Sequence, residues 1–180
     1  FNEFCNIVLE DRFETKYGRW EKNSIVILHD VRERIHLENN FDLLITSPPY
    51  PNNYDYADST RLEMTFWGEI NGWKDLQPVV RKNLLRSCSQ HSAAEKLDLK
   101  SLLSEPEIQP ISPEISEVCE KLSEIRLTRG GKKTYHTMVA AYFYDLAKIF
   151  INLRPLMTEN SLMCFVIGDS APYGIHVPVE

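Results

Sequence analysis

The stretch Phe41-Asp-Leu-Leu-Ile-Thr-Ser-Pro-Pro-Tyr50 is an apolar run that leads directly into a Ser-Pro-Pro-Tyr tetrad. The continuous run Leu43 to Ile45 predicts a short strand buried on both faces. Two successive prolines fix φ and cannot extend a ladder, so the strand must end at the tetrad. Backbone carbonyls are then left free, with a hydroxyl on one side and an aromatic ring on the other. Methylation of a nucleobase amine requires this combination: acceptors around the amino group and a ring to stack on the base.

Two further segments have the same form, an apolar strand that ends in polar residues. The segment 24–33 predicts a strand over 24–28 that leads to Asp30, and a loop of about a dozen residues separates it from the tetrad strand. The segment 161–170 predicts a third strand that ends in Gly-Asp-Ser. Ligands bind beyond the carboxyl ends of the strands in open α/β sheets, so we expect Asp30 and Ser47 on one rim.

This order of strand-Asp, strand-Ser-Pro-Pro-Tyr, long helix and strand-Gly-Asp-Ser resembles the middle of the S-adenosylmethionine-dependent amino-methyltransferases of DNA. The resemblance implies an α/β fold with a Rossmann-like methyltransferase sheet, here partial, and a mostly helical insertion after the catalytic strand. It also implies S-adenosyl-L-methionine as cofactor and double-stranded DNA as partner, with the target base flipped out of the duplex. The serine that opens the tetrad resembles the N4-cytosine branch, whereas Asp or Asn is more usual in N6-adenine enzymes.

The resemblance implies roles for individual residues. The catalytic set is Ser47, Pro48, Pro49 and Tyr50: the serine accepts a hydrogen bond from the amine, directly or while relaying its proton. The Pro48 carbonyl accepts the other N–H, and the Tyr50 ring stacks on the base. Asp30 is implied to contact the adenine of the cofactor, and Val31 and Thr46 are placed in the same cofactor set. The candidates for nucleic-acid contact are an aromatic residue and members of two basic clusters: Tyr54, Arg81, Lys82, Arg129, Lys132 and Lys133.

The chain divides into three parts by pattern. Residues 1–71 are expected to form the first part of a methyltransferase core, residues 72–128 a helical insertion, and residues 129–180 the second part of the core. The apolar stripe of 134–153 predicts the most regular helix, which Arg154-Pro155 ends. Other helices are predicted near 1–13, 31–37, 58–68 (capped by Asp58 or Ser59 and stopped by Gly68), 75–88 and 113–126 (begun by Pro113).

Composition narrows the class of protein. The four cysteines, Cys5, Cys88, Cys119 and Cys164, have no paired spacing, which argues against a zinc site or a disulfide framework and fits a reducing cytoplasm. The family resemblance implies that this cytoplasm is prokaryotic. Cys119 and Cys164 lie among apolar neighbours and are expected to be core thiols. No stretch is long enough to span a membrane, and no metal-ligand cluster is visible. The net charge of −6 is unusual for a nucleic-acid enzyme, but the charge is unevenly placed: residues 95–124 are rich in acid, and residues 126–133 form a compact basic cluster.

A glycine-rich turn after an apolar strand, which the family uses to hold the methionine part of the cofactor, is missing from the sequence. Both ends also look cut, so we expect a segment of a larger enzyme. The resemblance also makes a cognate restriction endonuclease a candidate partner, although the sequence does not specify one. Two alternatives stay open. The first is an N6-adenine enzyme or an RNA amino-methyltransferase, and the second is a catalytically silent nucleic-acid-binding subunit of the same fold.

Overall fold

The computed structural model describes residues 25–130 and 134–180. Two parallel strands, β1 (Phe41–Thr46) and β2 (Met157–Phe165), form a small sheet in which Leu43 lies opposite Leu162 and Thr46 opposite Phe165. The long connection between these strands carries all of the α-helices in the described residues. The predicted α/β class and the two strands that flank the candidate site are therefore confirmed, while the larger Rossmann-like sheet stays a prediction.

Six α-helices lie between the strands along the chain. Two are long, and Pro113 lies in the first turn of the first long helix, where a missing N–H costs nothing. The second long helix is followed by a 3₁₀ turn, Arg154–Leu156, that contains Pro155, as predicted. The helices are α1 (Tyr56–Ser59), α2 (Arg61–Phe66), α3 (Ser89–Glu95), α4 (Leu99–Leu103), α5 (Ser112–Thr128) and α6 (Tyr135–Leu153).

The main core forms where α5 packs against α6. Residues 137–142 of α6 are all buried, as expected for a helix segment that is covered all round by other elements. The side chains that form this core are Leu102, Ile115, Cys119, Leu122, Tyr135, Met138, Val139, Ala140, Ala141 and Val177. A smaller cluster of Leu85, Tyr142 and Leu146 continues it. Helix α6 is thus the central element against which residues 72–128, the predicted insertion, pack.

The strand predicted over 24–28 is not formed in the described residues. Residues 25–30 have no strand pairing, and the side chains of Ile25, Val26 and Leu28 are 83%, 98% and 104% exposed. A strand needs a hydrogen-bonded neighbour, and none of the described strands lies beside this segment. The helix predicted near 31–37 is also wrong: Asp30 bonds the backbone N–H of Arg32, a local bond that competes with helix formation.

Two helices predicted after the tetrad differ from the structure. The helix over 58–68 is two short helices that meet at Thr60, and Asp55 rather than Asp58 or Ser59 caps the first. Gly68, with φ of +74°, follows the second as predicted. The helix over 75–88 is replaced by a chain of 3₁₀ and π turns over 73–83. Pro78 lies inside that segment and cannot donate the hydrogen bond of a regular helix.

The sheet is more exposed than the sequence predicts. Leu43 and Ile45 on β1, and Leu162 on β2, are exposed, so β1 is not buried on both faces within the described residues. Cys164 on β2 is likewise exposed, and its assignment to the core is wrong. Cys119 is buried as predicted, and burial raises the pKa of its thiol to about 12. Within the described ranges, no helix has the length and apolar character needed to cross a membrane.

Candidate active site

The tetrad lies immediately beyond the carboxyl end of β1. The carbonyl of Thr46 accepts a hydrogen bond of 3.0 Å from the N–H of Val166, so the chain after β2 runs beside it. Residues 47–50 have no regular secondary structure, as the two prolines predict. Ser47 is exposed, and Pro48, Pro49 and Tyr50 are half-buried. The sheet therefore presents the tetrad at a rim that a ligand can reach.

The Ser47 hydroxyl has a defined partner. Its oxygen lies 3.2 Å from the carbonyl of Val166, to which it donates, and 3.4 Å from the Tyr50 hydroxyl. A serine hydroxyl has one proton and two lone pairs. Because the carbonyl takes the proton, the lone pairs of Ser47 are left to accept hydrogen bonds. Among the described residues, no donor bonds the Pro48 carbonyl, which is a second acceptor next to it.

The segment after β2 forms the other side of this rim. The Tyr50 ring lies over Gly168, and a Cβ at that glycine would be 3.9 Å from Cε2 of the ring, an ordinary contact. The hydroxyl of Ser170 donates to the Pro51 carbonyl at 2.9 Å in a buried bond. Asp169, by contrast, accepts from the N–H of Val179 at 2.7 Å and lies 2.7 Å from His176. The first and last residues of the Gly-Asp-Ser rim thus contact the tetrad loop.

The insertion holds the loop that follows the tetrad. Asn53, which has φ of +66°, donates its N–H to the Ser87 carbonyl and accepts from the N–H of Ser89 through its side chain. Asp55 forms an ion pair of 2.6 Å with Arg81. Sequence reasoning missed Asn53, although asparagine is among the few non-glycine residues that favour positive φ.

Asp30 is held by its own neighbour rather than by the tetrad. Arg32 donates to both carboxylate oxygens, with a shortest distance of 2.6 Å, and its backbone N–H donates to Oδ1 at 3.0 Å. The side-chain hydrogen bond from Arg32 is the largest cause that holds the pKa of Asp30 below its ordinary value. No hydrogen bond or ion pair between described residues joins Asp30 to Ser47, so their common rim stays a prediction. Val31 is exposed, and Thr46 is half-buried in β1.

The chain is 28% identical over 144 residues to the type II methyltransferase M.AvaI of Nostoc sp. and of Anabaena variabilis. The aligned region covers 78% of this chain and 28% of each of those proteins. It is 29% identical over 154 residues to the type II methyltransferase M.BsoBI of Geobacillus stearothermophilus, covering 79% of this chain and 30% of that protein. The chain is a relative of the type II methyltransferases. These relatives bear out the resemblance to DNA methyltransferases that the order of sequence motifs indicated.

The match to these methyltransferases is partial in length. The chain spans less than a third of the length of the curated relatives it matches. No family model matches the chain, and no solved structure matches it. The relatives therefore support the family, and the roles of single residues depend on the geometry described above.

The residues predicted to contact nucleic acid differ from one another in exposure and in partners. Arg81 is 14% exposed and paired with Asp55, so the structure gives it a structural partner that sequence reasoning did not foresee. Tyr54, Lys82 and Arg129 are exposed, and their contact with nucleic acid stays a prediction. The Tyr54 ring packs edge-on against Tyr56 at 4.8 Å between centroids. Three of the predicted features lie outside the described residues: Lys132, Lys133 and the helix near 1–13.

Within 25–130 and 134–180, no group of three or more His, Cys, Asp or Glu side chains is arranged to hold a metal ion. His91 and Cys88 approach each other, with 3.7 Å between Sγ and Nδ1, and both are buried. Burial raises the pKa of the Cys88 thiol, the opposite of what a reactive thiolate needs.

His91 leads to a prediction about pH. It is 1% exposed, and burial lowers its pKa to about 4. Between pH 6.5 and 4 the unfolded chain therefore binds a proton that the folded chain does not, so stability falls as pH falls. We expect this histidine alone to lower the free energy of unfolding by about 2 kcal/mol from pH 7 to pH 5. Urea unfolding at the two pH values measures it.

The matched variants are His91→Gln and His136→Gln. Burial also lowers the pKa of His136, so its effect has the same sign, but His136 is less buried than His91. His91→Gln is expected to remove most of the stability difference between pH 7 and pH 5, and His136→Gln a smaller part. An unchanged pH dependence in His91→Gln would mean that the ring is accessible to protons in the folded protein.

Proposed function

We propose that the full-length protein transfers a methyl group from S-adenosyl-L-methionine to the exocyclic amino group of a flipped base in double-stranded DNA, with cytosine N4 favoured. The observation that carries this proposal is the Ser47 hydroxyl, whose proton is committed to the Val166 carbonyl at 3.2 Å. The serine therefore offers lone pairs at the carboxyl end of β1, beside the Tyr50 ring and the Pro48 carbonyl, to which no donor in the described part of the chain is bonded. The relationship to type II methyltransferases supports DNA as the substrate.

The chemistry follows from the weakness of the nucleophile. The lone pair of a cytosine amine is delocalised into the ring, and positive charge develops on nitrogen as the methyl group is transferred. Two acceptors, Ser47 Oγ and the Pro48 carbonyl, bind the two amine hydrogens and stabilise that charge. Because they are already oriented by the chain, they need no rearrangement at the moment of reaction.

The proposed cofactor residues are Asp30, Val31 and Thr46. The Asp30 carboxylate is ionised and its side chain remains 29% exposed, so it keeps acceptor capacity for a polar ligand group. An acceptor carboxylate at Asp30 is compatible with S-adenosyl-L-methionine, which supplies an electrophilic methyl group when bound. The two parallel strands support a partial Rossmann-like sheet, whose strand ends favour such a ligand.

The proposed DNA contacts are at Tyr54, Lys82 and Arg129, together with Lys132 and Lys133. Exposed lysine and arginine side chains supply the phosphate contacts on which non-specific affinity depends. Bacterial relatives of the type II class also support a cytoplasmic, prokaryotic protein that acts with a cognate restriction endonuclease.

A nucleoside analysis tests the proposed reaction. Unmethylated DNA is incubated with full-length protein and S-adenosyl-L-methionine, and its digest is examined by mass spectrometry, with protein-free DNA as control. N4-methylcytosine is the expected product. N6-methyladenine alone would overturn the choice of base, and methylation of RNA alone would overturn the choice of nucleic acid. DNA binding with no product would indicate a silent subunit.

The stacking role of Tyr50 gives a further prediction. Tyr50→Ala is expected to weaken binding to target DNA by about 1–3 kcal/mol because a base–aromatic stack is lost. Tyr50→Phe keeps the ring and is expected to lose little, since the hydroxyl makes only a 3.4 Å contact to Ser47. Fluorescence anisotropy with full-length protein measures both affinities. DNA with an abasic target position is the control, on which wild type and Tyr50→Ala should bind equally.

A further inference from the structure

A polar cleft of about 540 Å³ lies apart from the tetrad, where α6 meets the insertion and the segment around Asp30. Its wall includes Asp145 on α6, a carboxylate that is 1% exposed. The helix around it is apolar, so a buried acid at this position is costly unless other groups pair with it. The cleft is lined by Asp30, Arg32, Lys82, Arg86, Tyr144 and Asp145.

Asp145 is paired with two arginines. Arg86 donates to it from its backbone N–H at 3.1 Å, from Nε at 3.0 Å and from its terminal nitrogen at 2.6 Å. Arg32 approaches the same carboxylate at 3.6 Å. Burial alone would lower the pKa of Arg86, but the hydrogen bond and charge of Asp145 raise it on balance. Both arginines therefore stay charged in this cleft.

Arg32 connects this buried acid to Asp30. Its guanidinium is fixed by the carbonyls of Lys82 and Leu84, at 2.9 and 3.2 Å, as well as by Asp145. From this fixed position it donates to both oxygens of Asp30. A planar guanidinium that is held on several sides also fixes the orientation of the carboxylate that it binds.

We infer that Asp145 is a positioning residue for the cofactor acid Asp30 and acts through Arg32. This inference rests on the proposed function, because it takes Asp30 to bind S-adenosyl-L-methionine. Asp145 and the carbonyls of the insertion orient Arg32, and Arg32 orients the Asp30 carboxylate while leaving it partly exposed. The insertion is thereby coupled to cofactor affinity.

The test uses full-length protein and four variants: Arg32→Gln, Asp145→Asn, Asp30→Asn and the double variant Asp30→Asn with Arg32→Gln. The KM and Kd for S-adenosyl-L-methionine, and kcat, are measured for each. Arg32→Gln and Asp145→Asn are expected to raise KM and Kd about tenfold, the size of one lost charge-assisted hydrogen bond, with kcat nearly unchanged. Glu117→Gln is the control, because it removes a carboxylate from an exposed ion pair with Lys121 on α5. It should leave KM, Kd and kcat unchanged.

The double variant separates positioning from general stability. If Arg32 acts through Asp30, the double variant has no larger effect on cofactor Kd than Asp30→Asn has by itself. Multiplicative effects on Kd, or a normal KM in Arg32→Gln, would overturn the inference. If Asp145→Asn does not fold, Arg32→Lys is measured in its place. This variant keeps the positive charge but loses the bidentate hydrogen bond to the Asp30 carboxylate, so an intermediate rise in KM is expected. Normal KM in Arg32→Lys would then overturn the inference.

The behaviour of the wild-type protein distinguishes a failure of the proposed function from a failure of the positioning role of Asp145. Wild type that neither binds S-adenosyl-L-methionine nor methylates DNA would overturn the proposed function, and this inference with it. Wild type that does both, with variants that keep a normal KM, would overturn the positioning role alone.

Discussion

Replacing Ser47 by alanine is expected to lower kcat for methyl transfer by roughly 10²–10³-fold, the usual loss when one group that stabilises a developing charge is removed. The hydroxyl proton is bound by the Val166 carbonyl, so the serine oxygen acts as an acceptor for the amine. Its contribution is greatest when the nitrogen becomes positive, which places the loss in kcat rather than in DNA affinity. Steady-state and single-turnover methylation by full-length protein, together with DNA binding by anisotropy, measure the two quantities separately.

Ser116→Ala on α5 is the matched control, because it removes a serine hydroxyl that contacts Glu120 and is expected to leave kcat unchanged. A Ser47→Ala protein with normal kcat and weakened DNA binding would show that the serine contacts DNA and does not take part in methyl transfer. The same result combined with normal turnover in Tyr50→Ala would remove the catalytic assignment from the tetrad.

Replacing Arg81 by alanine is expected to destabilise the protein by about 3–5 kcal/mol, the range found when one partner of a buried ion pair is removed. The side chains of Arg81 and Asp55 are 14% and 10% exposed and approach to 2.6 Å. Without the arginine, the largely covered Asp55 carboxylate loses its ion-pair partner at the start of α1, directly after the tetrad loop, and keeps only the capping hydrogen bond from the N–H of Asp58. Urea unfolding monitored by circular dichroism measures the change.

Lys82→Ala provides the comparison, because Lys82 is the next residue, carries the same charge and is exposed. We expect its unfolding curve to match that of the wild type, while its affinity for DNA falls and the salt dependence of binding becomes weaker by one phosphate contact. Unchanged stability in Arg81→Ala, accompanied by a loss of DNA affinity, would instead support the direct nucleic-acid contact first predicted for Arg81.

The elements that were predicted correctly have strong local signals. The Pro-Pro pair ends β1 whatever surrounds it, because neither proline has an N–H for the ladder. The apolar stripe of α6 and the proline in the first turn of α5 are equally local. The segment 24–28 has an apolar pattern as well, but strand formation depends on a neighbour that the pattern does not specify. The predicted helix over 75–88 was wrong, because Pro78 lies inside it and cannot donate the hydrogen bond of a regular helix.

The order of motifs was sufficient to indicate the methyltransferase family, since each motif is a short run of adjacent residues that can be recognised without knowledge of the tertiary structure. The partners of those residues come from distant parts of the chain. Val166, which binds the Ser47 proton, follows the other strand, and Asp145, which pairs with Arg32 and Arg86, lies on a helix more than a hundred residues after Asp30. Such pairs form because buried charges and hydrogen-bonding groups must find partners within the folded chain, and their identity depends on how α6 and the insertion pack.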